Sequence, residues 1–553
     1  MLDIIFVIAI LCNRFKFRAI FIYVDTATYT RSGKTHKRYL LRTSYRENGK
    51  VKKKTIASLC TLTPDEISSL KLALQHKSDL SALTSIKGAE VIQGKSFGAV
   101  IALKTIADEL GITKALGNSK EAVIAMWQIM GRVLFQGSRL SLLRMLDIHE
   151  VEKILSVPNN LSAKQLYTNL SWLEQNQLKI EKKLQNYHKV QSNLYLYDVT
   201  SSYLEGENNE LAEYGYNRDK KKGKKQIVIG LLTASDGIPV AVRVFKGNTS
   251  DSKTIPDQID LLKKEFMIKK VTLVGDRAMF PKSQKDDLPE TISYITAISK
   301  RQIKTLLDAK QLQLSLFDED LQEIEIDRVR YILRCNSIRK QEIAANRSNK
   351  IELLEAKISE KNKYLREHEK ANPDIAVKDL KNRIEKLNIN KFIELTTENR
   401  VIKYTINQEA LEKESQLDGC YCLTTDVPKE EAAKDIIHAR YKDLAMVERA
   451  FRTMKQSHLE IRPVYLRRED RTRAHVFVTM MAFMIEKKLA EYWESIKISV
   501  TEGLNALTTL ITTVLSIGEI NITKTVKPTG ICKQLLEKLN INIPDEIKSV
   551  TTF

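Results

Sequence analysis

Asp198, Asp276 and Glu448 are the residues of this chain best placed to do chemistry together. Asp198 lies within the apolar run Leu194-Tyr-Leu-Tyr-Asp198-Val-Thr200, and Asp276 closes another, Val271-Thr-Leu-Val-Gly-Asp276-Arg277. Glu448 stands in a helical stretch from Tyr441 to Lys455, seven residues before that lysine, so the two point the same way on a helix. Three carboxylates on one surface repel one another unless divalent cations neutralise them. Magnesium, a hard cation that takes oxygen ligands from one or two carboxylates plus substrate phosphate, suits such a cluster better than a soft metal.

The helix that would carry the third acid has its own logic. Asp443 can cap it, and Leu444, Val447, Phe451 and Met454 form a three-four-three apolar stripe that would dock on a sheet. At 100° per residue Glu448 falls about 40° from Leu444, and Lys455 about 20° from Glu448. Both flank the buried stripe, where a carboxylate can reach a metal and an ammonium a neighbouring phosphate. The competing reading is an ordinary surface helix in which Glu448 pairs with Arg452 at i+4 for a few tenths of a kcal/mol.

The elements that must position these residues are legible in the spacing. From Tyr39 to Leu59 the residues alternate around Glu47-Asn-Gly-Lys50, a hairpin signal, and residues 21–62 read as a basic β unit. Pro64-Asp65-Glu66 starts a helix, and apolar residues repeat at three and four through Leu134, so 63–190 reads as helical. Strand character returns at Leu194. Ile227–Thr233 and Pro239–Phe245 flank Ser235-Asp-Gly237 as a hairpin, and buried runs follow at 271–275 and 293–298. Residues 300–416 break this pattern. Strand runs at Glu323–Arg334 and Arg400–Asn407 bracket two helical stretches either side of Asn372-Pro-Asp374. A further strand, Gly419–Thr424, precedes the Glu448 helix, and the apolar Val476–Ile485 helix should be buried, with His475 at its start a hydrogen-bonded core histidine.

A formal charge of +20 over 553 residues favours a polyanionic partner, nucleic acid being the commonest. Arg218, Lys220 to Lys222, Lys224 and Lys225 form the densest basic cluster; a phosphate contact there adds affinity without reading bases, and a solvated loop is the alternative. Tyr214 and Tyr216 beside it could stack on an unpaired base or simply pack. Asp251 reads as a turn or helix cap, or as a fourth acid. Six scattered cysteines form no Cys-x-x-Cys pair, so neither a disulfide framework nor a zinc site is implied, and a reducing cytosol is expected. The apolar opening, residues 1–20, reads as a frayed or misplaced start: Asp3 stands where a secretory leader has basic residues, and the run is too short to span a membrane.

Taken together, these blocks resemble the DDE transposases of bacterial insertion sequences, in the group whose third acid sits in a signature of Tyr, two residues, Arg, three residues, Glu, six residues, Lys. Tyr441, Glu448 and Lys455 satisfy it, and Leu444 stands where the Arg belongs, with Arg440, Arg449 and Arg452 near enough to substitute. Gly215-Tyr216, Phe245-Lys-Gly-Asn-Thr-Ser-Asp251, Gly275-Asp-Arg277 and Arg462-Pro-Val-Tyr465 also fall where such transposases carry similar blocks, over roughly residues 190 to 490. Ser44 to Val51 leading into Thr55-Ile-Ala-Ser-Leu looks like the start of one branch of the group.

The resemblance implies an α/β chain with a ribonuclease-H-like catalytic domain, a mixed five-stranded sheet flanked by helices, over 191–299 and 417–494. Its first and fourth strands lie side by side at the centre, bringing Asp198 next to Asp276. A large α+β insertion would occupy 300–416, the helical 63–190 could bind DNA ends, and 495–553 would be a C-terminal helical segment. Asp198, Asp276 and Glu448 would hold two Mg2+ ions, with Mn2+ as substitute; Tyr441, Lys455, Arg452, Arg218, Lys221 and Lys224 would contact DNA. The implied activity is a cytoplasmic, nucleoid-associated bacterial enzyme, a homodimer in its synaptic complex and free of membranes. It would cut terminal inverted repeats by metal-dependent hydrolysis and join the freed 3′-hydroxyl to target DNA by transesterification. A ribonuclease-H-like nuclease without strand transfer, or a decayed transposase that only binds DNA, fits the same residues.

Overall fold

The computed structural model describes residues 21–31, 34–47, 50–75, 90–135, 137–188, 193–206, 208–286, 288–456, 459–517 and 520–547. The opening residues 1–20 and the Asn48-Gly49 turn lie outside them. The chain divides into two compact units, one of residues 1–94 and 512–526, the other of 95–511 and 527–553.

In the smaller unit, β1 (Phe21–Arg31), β2 (Lys34–Glu47) and β3 (Lys50–Ser58) form an antiparallel sheet. Glu47 pairs with Lys50 across the β2–β3 turn, as the Asn-Gly spacing predicts. Leu41, Leu59 and Leu70 make its core, the last from the helix Pro64–Gln75. Thr63 and Glu66 close that helix start: the Glu66 carboxylate accepts from the Thr63 N–H at 2.7 Å, and the Glu66 N–H donates to the Thr63 hydroxyl. The segment after it is not wholly helical. A strand, β4 (Glu90–Ser96), lies beside the first strand of a C-terminal hairpin formed by Ile511–Ile517 and Ile520–Thr525.

The larger unit is built on one eight-stranded mixed sheet. Its strands, in chain order, are β5 (Leu194–Tyr203), β6 (Gln226–Ala234), β7 (Pro239–Lys246), β8 (Val271–Gly275), β9 (Ile292–Ala297), β10 (Gln322–Ile326), β11 (Val329–Cys335) and β14 (Cys420–Thr425). A separate hairpin, β12 (Ile393–Glu398) and β13 (Val401–Ile406), falls between β11 and β14 in sequence, and the smaller unit's β15 (Ile511–Ile517) and β16 (Ile520–Thr525) come last. The spatial order is β10-β11-β14-β9-β8-β5-β6-β7. β5, β6 and β7 run antiparallel, while β5, β8 and β9 are mutually parallel neighbours, so the first and fourth of these strands are adjacent.

The resemblance implies five strands here, and the sheet carries eight. Three come from the region expected to be a free-standing insertion and its return: β14 pairs antiparallel with β9, β11 with β14 and β10 with β11. The edge of β9 would otherwise present unpaired backbone groups, and β14 covers it. The run Glu323–Arg334 is two strands, because Asp327 and Arg328 take positive φ of 49° and 63° and reverse the chain. Asn399 and Arg400, at 47° and 63°, do the same between β12 and β13. Beyond the sheet, the helices Ser337–Glu367 and Pro373–Leu387 pack through Leu354, Ile358, Leu380 and Ile384 with the β12–β13 hairpin as one core. The C-terminal segment likewise holds the β15–β16 hairpin as well as helices, its β-branched Ile511-Thr-Thr-Val run favouring the extended chain.

Every residue from His475 to Ile485 of the Glu469–Trp493 helix is buried, as the all-apolar run requires. This helix packs on the Ala163–His188 and Lys120–Leu134 helices and on β7. Arg139 donates to His475 Nδ1 at 3.3 Å, and burial pushes the imidazole pKa well below its usual value, in keeping with a core histidine.

Candidate active site

Alternation along β5 decides which way Asp198 points. Tyr195, Tyr197 and Val199 belong to the core on one face of the sheet, so Leu196, Asp198 and Thr200 project from the other. The helix Leu444–Gln456 packs against β5 and β6. Its stripe of Leu444, Val447, Phe451 and Met454 is buried as the spacing predicts, and Glu448 stays exposed at the border of that stripe.

Asp276 arrives from the neighbouring strand. Tyr197 and Gly275 are partners across the parallel β5–β8 pair, so Asp198 and Asp276 are the next residues on adjacent strands. Each carboxylate accepts the N–H of the residue that follows it, Val199 and Arg277, at 2.7 Å. Burial pushes the Asp198 carboxyl up to about 7, opposed by the Val199 N–H and reinforced by the charges of Glu448 and Asp276. Glu448 and Asp276 therefore both act on Asp198.

Tyr441 joins them from a different element. It lies on the helix Lys434–Lys442, which ends at Asp443 before the Glu448 helix begins, so the two are not one continuous helix. Its phenol is pushed up to about 12 by burial first, then by Asp276, with Glu448 and Asp198 adding to the effect and Arg277 opposing it. Leu444, at the position where the signature has Arg, is 9% exposed and packed in the stripe, so a guanidinium there would be forced out of an apolar seat. No ion pair joins Glu448 to Arg452 among the described residues, and Arg452 is exposed.

Lys455 is engaged inside the protein. Its ammonium donates to Asp219 Oδ1 at 3.0 Å, Arg462 donates to the same oxygen, and the Tyr203 N–H donates to Oδ2 at 3.2 Å. Arg218, next to Asp219, donates through Nη2 to both oxygens of Asp251 at 2.6 Å, which gives Asp251 an ion-pair role. The rest of the loop faces solvent. Lys221 sits over the Tyr203 ring, and Lys224 pairs with Glu205 at 2.6 Å.

Residues 191–485 match the family described as Transposase DDE domain, more than half of the chain. The chain belongs to the DDE transposases. Residues 24–84 match a second family, IS1634 family transposase, N-terminal domain, which agrees with a bacterial insertion-sequence transposase. No curated protein matches the chain. Among solved structures, a piggyBac transposase synaptic complex with hairpin DNA aligns with 75% of this chain and 82% of that one, at 8% identity and a TM-score of 0.36.

For a transposase of this family the donor chemistry at the three acids suits a divalent cation. All the donors are hard carboxylate oxygens, and burial, with the neighbouring charges of Glu448 and Asp276, holds Asp198 near neutral pKa against the opposing Arg218. Among the described residues, however, no three acidic, histidine or cysteine side chains stand close enough to hold one metal ion. The pairing of Asp219 with Lys455 and Arg462 escapes sequence reasoning. Asp219 lies in a run that reads as a solvated basic loop, and Arg462 has no partner until the fold supplies one. The one available signal is an acid, Asp219, embedded among six basic residues between Arg218 and Lys225. No helix among the described residues is long and apolar enough to cross a membrane.

Proposed function

We propose that this transposase cuts the ends of an insertion element and joins them to target DNA at a ribonuclease-H-like centre formed by Asp198, Asp276 and Glu448. The observation that carries the reading is the adjacency of Asp198 and Asp276 on parallel central strands, with the Glu448 helix packed on the face to which Asp198 points. The strand order β7-β6-β5-β8-β9, antiparallel then parallel, supports the ribonuclease-H-like assignment.

In this proposal Asp198, Asp276 and Glu448 would hold magnesium, or manganese in its place. When bound, such an ion lowers the pKa of an attacking water and stabilises the leaving oxygen of a scissile phosphate. The protein's own groups do the positioning. β5 and β8 fix the two aspartates through their backbone register, and Tyr441 caps the acidic cluster from the Lys434–Lys442 helix. Asp219 holds Lys455 and Arg462 at the end of β5. Exposed Lys221, Lys224 and Arg452 would meet the DNA backbone. Double-stranded DNA, both terminal inverted repeats and target, is the partner, and a homodimer would bring two ends together.

Incubating the full chain with a pre-cut element end and a target plasmid tests this reading. A joined product is expected; cleavage without joining would leave a plain nuclease, and neither product would leave a DNA-binding remnant.

A further inference from the structure

Two cysteines remote in sequence face each other where the chain leaves the central sheet for the helices Ser337–Glu367 and Pro373–Leu387 and where it returns. Cys335 ends β11 and Cys420 begins β14, and they stand directly opposite in the antiparallel β11–β14 register. Their backbone amides turn away from each other: the Cys335 N–H donates to the Asp318 carbonyl at 2.7 Å, and the Cys420 N–H to the Leu417 carbonyl at 3.3 Å. The next pair out is bonded instead, the Asn336 N–H donating to the Gly419 carbonyl at 2.9 Å. Cys335 and Cys420 are therefore a non-hydrogen-bonded pair, the kind whose side chains come closest, with Cα atoms typically about 4.5 Å apart. A disulfide spans that separation.

The surroundings hold the pair in place. Gly419 takes a φ of 73°, and a methyl group on it would run into the Asn336 carbonyl, so the two chains touch just beyond the thiols. The Asp418 carboxylate, enclosed beside them, accepts from Lys300 at 3.3 Å and from Arg347 on the Ser337–Glu367 helix. The two thiols lie within hydrogen-bonding reach of each other. Each also reaches a backbone carbonyl, Cys335 Sγ that of Asp418 at 3.7 Å and Cys420 Sγ that of Gln416 at 3.9 Å. Both are half-buried, so a small oxidant can enter, whereas Cys422 and Cys532 are buried and the exposed Cys60 belongs to the other unit.

We propose that Cys335 and Cys420 form a redox modification site, which a peroxide closes into an intramolecular disulfide that ties β11 to β14. One thiol takes an oxygen from hydrogen peroxide, releasing water and leaving a sulfenic acid; the other displaces that oxygen as a second water, and the S–S bond forms. The two thiols lose two electrons and two protons, and the peroxide becomes two waters. Burial, then the Cys335 thiol beside it, pushes the Cys420 thiol up to about 12, with Lys340 and Lys300 opposing. Its thiolate is scarce at neutral pH, so closure should quicken as pH rises. Where thiols are kept reduced the pair stays open, and it closes only under oxidant. The bond would turn residues 336–419 into a closed loop and restrict the unfolded chain at its root. The site is independent of the proposed transposition chemistry.

Treating the native full chain with hydrogen peroxide at mildly alkaline pH, capping the remaining thiols and mapping peptides without reductant tests the site. A peptide that joins the Cys335 segment to the Cys420 segment is expected, with both thiols lost to capping and both restored by dithiothreitol. Cys422→Ala should form the same link, and Cys335→Ser should leave the Cys420 segment unlinked. Separately capped Cys335 and Cys420 peptides, at a dose that oxidises the exposed Cys60, would overturn the proposal. A link from either cysteine to Cys422 or to a second chain, in place of the expected one, would overturn it as well.

Discussion

Lys455 Nζ lies 3.0 Å from Asp219 Oδ1, with 9% and 2% of the two side chains exposed. The pair ties the end of the Glu448 helix to the loop that follows β5, and Arg462 shares the same carboxylate. Removing the acid leaves two enclosed cations facing each other without compensation. Asp219→Ala should therefore cost about 3–5 kcal/mol of stability, and it should lower end cleavage more than DNA affinity. Urea unfolding and cleavage kinetics measure both effects. Asp219→Asn combined with Lys455→Met should cost less than the sum of the single changes, because the double variant leaves one cation, Arg462, without its carboxylate rather than two.

A methyl group at Gly230 on β6 would sit 2.2 Å from the Tyr197 hydroxyl oxygen and 2.9 Å from the ring carbon that bears it. Tyr197 precedes Asp198 on β5, so strain there displaces the acid. Gly230→Ala should destabilise by about 1–3 kcal/mol, and adding Tyr197→Phe should restore part of the loss by removing the nearest atom. Unfolding midpoints of the single and double variants decide this; an undiminished loss in the double variant would place the clash elsewhere.

Burial pushes the Glu486 carboxyl up to about 7, and its Oε2 is enclosed without a hydrogen-bond partner. Below the unfolded pKa of about 4.5 both states are protonated. Between that value and about 7 the folded protein keeps a proton the unfolded chain has released, so stability falls as pH rises through this window. Glu486→Gln should be the more stable protein at pH 8 by on the order of 2 kcal/mol, with the gap closing by pH 4. Chemical denaturation at the two pH values provides the comparison.

Much of the central sheet is legible in the sequence because its signals are local. The apolar runs at Leu194 and Val271 and the Ser235-Asp-Gly237 turn each announce a strand or a reversal, and the Leu444, Val447, Phe451, Met454 spacing announces a docked helix. What escapes is set by the tertiary fold. The turns at Asp327-Arg328 and Asn399-Arg400 carry no glycine, so two hairpins are hidden, and the strand runs at Glu323–Arg334 and Gly419–Thr424 carry no local sign that they extend the central sheet. Asp219 is hidden by its basic neighbours, since nothing local says that an acid in a Lys-rich loop turns inward to meet Lys455 and Arg462. The break at Asp443 has a similar cause: helical periodicity persists across it, and only packing separates Tyr441 from Glu448.

Lys221 and Lys224 lie on the outer side of that loop, and Lys224 makes a surface pair with Glu205. Changing both to Ala should weaken duplex binding about uniformly across sequences and make its salt dependence shallower by about 1 to 2 in slope. Anisotropy titrations at several salt concentrations would show it; an unchanged slope would remove this loop from the DNA interface.

Cleavage of a labelled element end in magnesium by Asp198→Asn, Asp276→Asn and Glu448→Gln tests the three-acid centre most directly. Each variant should lose at least about a thousandfold in rate while binding the same duplex within about twofold of the wild type, as expected when a group acts in the transition state rather than in binding. Wild-type cleavage by any one of the three, in protein of normal stability, would contradict a shared site.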